Sequence, residues 1–220
     1  MKFHDAHNRP MRDAPLPSVP ALFPRLLREK SLSSAEIPDE AGCGALWDKY
    51  AMPAHIRAHS IRVAGVAESL GRRLQAGGAR IDLSLLLAGA LLHDLAKAYT
   101  IEFGGNHAQL GAAWTRMETG SPRVAQLVFH HVHWPWPLDL GNESMLPCLL
   151  VLYADKRVRH DVLVSIEERF QDLMRRYGHT EKTRIFIRSS MEQGLEIERA
   201  LSARLGVNLD EDTFDSRRLV

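Results

Sequence analysis

Seven residues carry the chemistry this chain could do: His59, His93, Asp94, His107, His130, His131 and Asp155. The chain has 11 histidines, and six of them fall between residues 59 and 133. A mixed nitrogen and oxygen donor set without thiolate suits Fe, Mn, Co, Ni, Zn or Mg rather than a structural zinc knuckle. Placement says more than number. His93 and Asp94 stand in ALLHDLAKAY (residues 90–99), whose first half reads as core. Buried imidazole and carboxylate cost free energy unless they are paired or bound to metal. A lone histidine on an apolar stripe is ordinarily structural, with a hydrogen-bond partner. That explanation loses force when five separate helices each bring such a group inward.

Those helices are legible from periodicity. After Pro53, the residues Ile56, Val63, Ala67, Leu70 and Leu74 form a helical stripe that runs to Gly77–Gly78 and includes His59. Asp82 caps a second helix, expected over 83–97, apolar on most faces. His107 opens a third, 107–119, and Ser121–Pro122 opens a fourth, 122–132, closed by His130 and His131. Further helices are expected over 144–159, 162–177 and 180–204, with Asp155 on an apolar face of the first. The fold class is all-α, a single bundle of about seven or eight helices with an irregular N-terminal arm. Residues 1–45 read as that arm, with a short helix at 21–30 and a loop over 31–44; 46–205 read as the domain, and 206–220 as a loosely held tail.

Composition narrows the class. The chain has 220 residues, 45% hydrophobic and 25% charged, as in an ordinary globular domain. A formal net charge of +1 gives no electrostatic case for nucleic acid or an acidic membrane. Cys43 and Cys148 form no spaced pair, so a disulfide framework is not expected and a cytoplasmic setting is. There is no run for a signal peptide or a membrane span. Gly42–Cys43–Gly44 follows no expected strand and is not a dinucleotide fingerprint. Ser165 and Cys148 lack the neighbours of a nucleophilic triad.

The ordered set His59 (in HSIRVA), His93–Asp94 (in LLHDLAK) and Asp155 (in YADK) resembles the HD superfamily of metal-dependent phosphohydrolases, over about residues 53–177. His107 (in NHAQLGA) and His131 (in VAQLVFHH) look like the added histidines of bacterial HD-domain hydrolases of diadenosine tetraphosphate. The segment YADKRVRHDVLVSIEERF is similar to HD domains found beside molybdopterin nucleotidyltransferases. HHVHWPWP lacks the GYP element of the cyclic-di-GMP phosphodiesterases, so that activity is not expected.

The resemblance implies one or two divalent or transition-metal ions. His59, His93, Asp94 and Asp155 would hold the first. Asp94 would bridge to a second held by His107 and His131, with His130 as the alternative to His131. The implied reaction is attack of a metal-activated water on a phosphoester or phosphoanhydride of a small, nucleotide-like substrate. Lys97 would bind phosphate or else pair with a carboxylate at the helix end. Arg62, three residues after His59 and facing the same way, is a weaker candidate for a phosphate role. Lys156 is expected to point away from Asp155, with a phosphate role as its less favoured reading, and His55 to lie at the site edge or on the surface. The loop with His133, Trp134 and Trp136 reads as a proline-stiffened cover, with its tryptophans as the place for base contact if the site takes a nucleobase. ERFQDLMRRYG reads as a solvated face. The competing readings are a non-catalytic metal- or nucleotide-binding regulatory domain and, more remotely, a di-iron oxidative enzyme.

Overall fold

The computed structural model describes residues 37–212 and 214. The expected helix at 21–30, most of the N-terminal arm and the end of the tail lie outside them. The all-α expectation holds. Helix α1 spans Glu40–Lys49, α2 Ala54–Ala76, α3 Leu83–Leu92, α4 Lys97–Phe103, α5 His107–Thr119, α6 Pro122–His130 and α7 Leu146–Lys156. A two-stranded antiparallel hairpin follows, β1 Val158–Arg159 and β2 Val162–Leu163. Then come α8, Ile166–Tyr177, and α9, Glu181–Leu205.

Helix α7 is the centre. From Leu146 to Ala154 every residue is buried, and α2, α3, α6 and α9 pack around it. Helices α3 and α6 meet at Gly89, where an added Cβ would lie 2.4 Å from the Leu127 side chain. That close approach brings the C-terminal ends of both helices together, and both ends carry candidate ligands.

Three expectations are corrected. Residues 40–44, expected as loop, belong to α1. Asp39 caps it by accepting from Gly42 N–H at 2.8 Å, and buried Cys43 and Trp47 give it an inward face that outweighs two unfavourable glycines. Trp47 Nε1–H donates to the Leu91 carbonyl at 3.0 Å, so α1 braces the end of α3.

The expected helix over 83–97 is broken. Helix α3 ends at Leu92, and tighter turns follow, with Leu95 N–H donating to Leu92 C=O at 3.0 Å and Lys97 N–H to Asp94 C=O at 2.9 Å. The cause is His93. Its Nδ1–H donates at 2.7 Å to the Ala90 carbonyl, the acceptor a continuing helix would offer to Asp94 N–H.

The tail is not loose as far as it is described. Leu209 and Phe214 are fully buried. Arg157, buried just past α7, donates to the Leu209 and Asp210 carbonyls, to the Tyr153 hydroxyl at 2.6 Å and to Glu198 at 3.1 Å. Asp212 pairs with Arg73. These anchors lie far apart in sequence, so local composition could not show them.

Candidate metal centre

Six of the seven candidate ligands converge. His59 comes from the second turn of α2, His93 and Asp94 from the turn after α3, His107 from the start of α5, His131 from the end of α6, and Asp155 from the last turn of α7. Asp94 lies in the middle. Its Oδ2 is 3.3 Å from His93 Nε2 and 3.7 Å from His59 Nε2. Its Oδ1 is 3.5 Å from His107 Nε2 and 3.7 Å from His131 Nε2. Asp155 Oδ1 lies 2.9 Å from His59 Nε2 and 3.7 Å from His93 Nε2. The Nε2 atoms of His107 and His131 are 3.1 Å apart.

Three imidazoles are locked in one orientation. His59 Nδ1–H donates to the His160 carbonyl at 2.6 Å, His93 to Ala90 at 2.7 Å and His131 to Val128 at 2.6 Å. A carbonyl only accepts, so Nδ1 carries a proton in each ring, and Nε2 is the nitrogen turned inward, where it could take a metal once any proton on it is displaced. His160 is held at φ 58°, in the left-handed region, and turns its carbonyl toward His59 from the β1–β2 hairpin. His93 and His131 each cap their own helix by bonding three residues back.

The residues fit a metal. Asp94 Oδ1 and His93 Nε2 are buried without a hydrogen-bond partner. Orphaned buried polar atoms are costly, and a cation, displacing any proton from the imidazole, satisfies both. Among the described residues, His59, His93 and Asp155 form one group with donor atoms within 4.8 Å of one another, and His93, Asp94 and His131 form another. Donors on metal bonds of about 2.1 Å are separated by roughly 3–3.5 Å, close to the spacings here.

The electrostatics agree. Burial would raise Asp94, but the charges of His93 and Lys97 outweigh it and hold the carboxyl well below its usual range. Asp155 is held low too: burial would raise it, but the hydrogen bond with His59 at 2.9 Å and the nearness of His93 overcome that. Burial opposes a charged His93, yet Asp94 and Asp155 raise it to about 10. Burial, with repulsion from His93 and His107, pushes His131 down to about 3 and keeps it neutral. An anionic pair of carboxylates thus stands among rings that compete for a proton, the situation in which a metal ion displaces one.

The remaining expectations divide. Lys97 reaches Asp94 Oδ2 at 2.6 Å and also lines the adjoining cavity of about 580 Å³. His55 is exposed at the rim of that cavity. His130 does not join the cluster. It is buried against Phe129, Trp134 and Trp136, with ring centroids 4.9, 5.3 and 5.0 Å away. Arg62 is half-buried on α2 and is not among the residues lining the cavity. The tryptophan loop is a cover: Trp134 is buried, its backbone N–H donates to Gln193 and its carbonyl accepts from the same side chain. Lys156 is buried, lines the cavity and donates to the Val132 carbonyl at 3.1 Å.

The ERFQDLMRRYG segment corrects its own reading. One face of α8 (Arg169, Phe170, Leu173, Arg176 and Tyr177) walls the cavity, and only the rest is a solvated face. The signal was a cationic and aromatic stripe at helical spacing, which charge alternation masked. The His160 carbonyl left no signal, because any residue type carries one.

Comparison with known proteins follows the same span. Residues 56–166 match the family model described as HD domain. The chain is 28% identical over 116 residues to a protein named ribonuclease Y from Sulfurovum sp., covering 53% of this chain and 22% of that protein. It is 30% identical over 115 residues to ribonuclease Y from Wolinella succinogenes, covering 52% and 21%. It is 27% identical over 185 residues to a tRNA (cytidine(56)-2'-O)-methyltransferase from Thermoplasma volcanium, covering 80% and 50%. The chain thus spans between about a fifth and a half of the length of these curated relatives. No solved structure matches.

Proposed function

The chain belongs to the HD-domain family, and we propose that it is a metal-dependent phosphohydrolase acting on a nucleotide-like phosphoester or phosphoanhydride. The observation that supports this best is Asp94: buried, ionised, with one oxygen toward His59 and His93 and the other toward His107 and His131. In this reading His59, His93, Asp94 and Asp155 hold one ion, and Asp94, His107 and His131 hold a second.

When bound, the metal supplies Lewis acidity and a water acidified toward neutral pH. The chain's own groups do the rest. The carbonyls of Ala90, Val128 and His160 fix the imidazoles, so no reorganisation accompanies the reaction. Lys97 sets the Asp94 carboxylate and faces the cavity, where a phosphate oxygen would meet its ammonium. The buried walls of α3 and α7 keep bulk water from the ligand side of the site.

The relatives named ribonuclease Y bring RNA phosphodiesters into the candidate substrates, and a net charge of +1 is no ground to set RNA aside. No helix among the described residues is long and apolar enough to cross a membrane. A cytoplasmic setting is proposed from the two free, buried cysteines.

The test is metal analysis of the full chain, purified without chelator, followed by a hydrolysis screen. One or two transition-metal ions per chain are expected. So is metal-dependent cleavage of at least one substrate among nucleotides, dinucleoside polyphosphates and short RNAs. A chain that takes up no Fe, Mn, Co, Ni, Zn or Mg and cleaves nothing would be a binding domain instead.

A further inference from the structure

The cavity holds more positive charge than its carboxylates match. Besides Lys97, it is lined by Lys156 from the end of α7 and by Arg169 and Arg176 from α8. Its lining carboxylates are Asp94 and Asp155, and both belong to the proposed metal centre. Lys156 is 4% exposed. Of its three ammonium protons, one reaches the Val132 carbonyl at 3.1 Å, and the Phe170 ring lies 5.8 Å away. No carboxylate of the described residues forms an ion pair with it. A buried ammonium in that state is costly.

Arg169 adds to the cost, since its charge acts on both Lys97 and Lys156. Its own carboxylate contact, Asp172, is 4.0 Å away and shared with Arg175 and Arg176. Like charges gathered round one cavity, with spare donors aimed into it, are relieved by an anion.

We propose that Lys156 and Arg169 form an anion subsite beside the metal centre that takes a second, non-reacting phosphate of the substrate. The inference rests on the phosphohydrolase reading, which places the reacting phosphate at the metal centre. Arg169 lies on α8, beyond the 56–166 span that matches the family model. Arg176, half-exposed and beside Tyr177, continues the positive wall outward. The second phosphate belongs to a phosphoanhydride chain or to the next phosphodiester of a strand. Either presents two anionic groups in succession.

Isothermal titration calorimetry on the full chain, metal-loaded and metal-stripped, tests this with inorganic phosphate, tripolyphosphate and a 5′-phosphorylated RNA trinucleotide. Tripolyphosphate or the trinucleotide should bind more tightly than phosphate. Arg169→Gln and Lys156→Met should each weaken that ligand by about ten- to a hundredfold, more than they weaken inorganic phosphate on the metal-loaded chain, with metal content unchanged. Loss for tripolyphosphate assigns an anhydride, and loss for the trinucleotide assigns a strand. Unchanged affinity for both ligands in Arg169→Gln, with a native circular dichroism spectrum, overturns the subsite even if Lys156→Met does not fold. If the chain binds no metal but Arg169→Gln still weakens tripolyphosphate, the subsite stands and the phosphohydrolase reading falls.

Discussion

Lys97 grips one oxygen of Asp94 and leaves the other bare. Its ammonium lies 2.6 Å from Oδ2, while Oδ1, equally buried, has no hydrogen-bond partner. The contact spans three residues across the turn after α3 and fixes the rotation of the carboxylate. Oδ1 is thereby turned toward His107 and His131.

Asp94→Asn keeps the shape and removes the charge. Metal affinity should fall by more than the about 10–100-fold that loss of an outer-shell partner costs, and turnover should fall with it. Elemental mass spectrometry beside a rate measurement checks this. Full metal content in the variant would remove Asp94 from the ligand set.

Lys97→Met frees the carboxylate to rotate. Metal affinity or activity should drop about 10–100-fold. The metal-free protein should lose about 1–3 kcal/mol of stability, because a buried carboxylate loses its charged hydrogen bond. The metal-loaded protein should lose less, since the ion takes over the role. Denaturant titrations with and without chelator separate the two.

His160 sits at φ 58°. A β-branched residue there is strained by about 1–3 kcal/mol. His160→Val should lower the melting temperature and loosen His59, with weaker metal retention. His160→Gly accepts the same backbone and keeps the carbonyl, so it should retain metal. Equal metal loss in both would place the effect in the imidazole rather than the carbonyl.

Burial pushes His130 down to about 4, against a hydrogen bond with the His133 backbone that opposes it. An unfolded histidine titrates near 6.5. Between these values the unfolded chain binds a proton that the native chain refuses, so stability is present above about pH 6.5 and is lost as pH falls toward 4. The slope approaches about 1.4 kcal/mol per pH unit for this one group. Chelator-treated His130→Leu should show a shallower decline over that interval than the chelator-treated parent. An identical slope would mean that His130 is protonated in the fold.

Much of the site was readable from residue types and spacing. His59, His93 and Asp155 fall on apolar stripes where a polar group is conspicuous, and His131 is set apart from His130 only by which way each ring turns. Adjacent residues at a helix end share a composition signal, so geometry alone could separate them. The break after Leu92 was hidden because ALLHDLAKAY has helical propensity throughout, and one side chain, His93, diverts the carbonyl that would have carried the helix on. The α8 wall was hidden for a different reason. A cationic stripe looks the same whether it faces water or a cavity, and the opposing wall of the cleft lies in α2, α4 and α5, far earlier in the chain.

Arg157 stands two residues after Asp155 and holds Leu209 and Asp210 by their carbonyls. One guanidinium is therefore a knot between the end of the domain and the helix that carries a candidate ligand. Pulling on Leu209 or Asp210 is transmitted to α7 through a buried side chain rather than through a flexible lead. Arg157→Leu leaves Glu198 buried without that cation and should cost about 3–5 kcal/mol. Protease cleavage near residue 210 and release of metal should then share one melting curve. A tail that frays well before the metal leaves would show that the knot carries no tension.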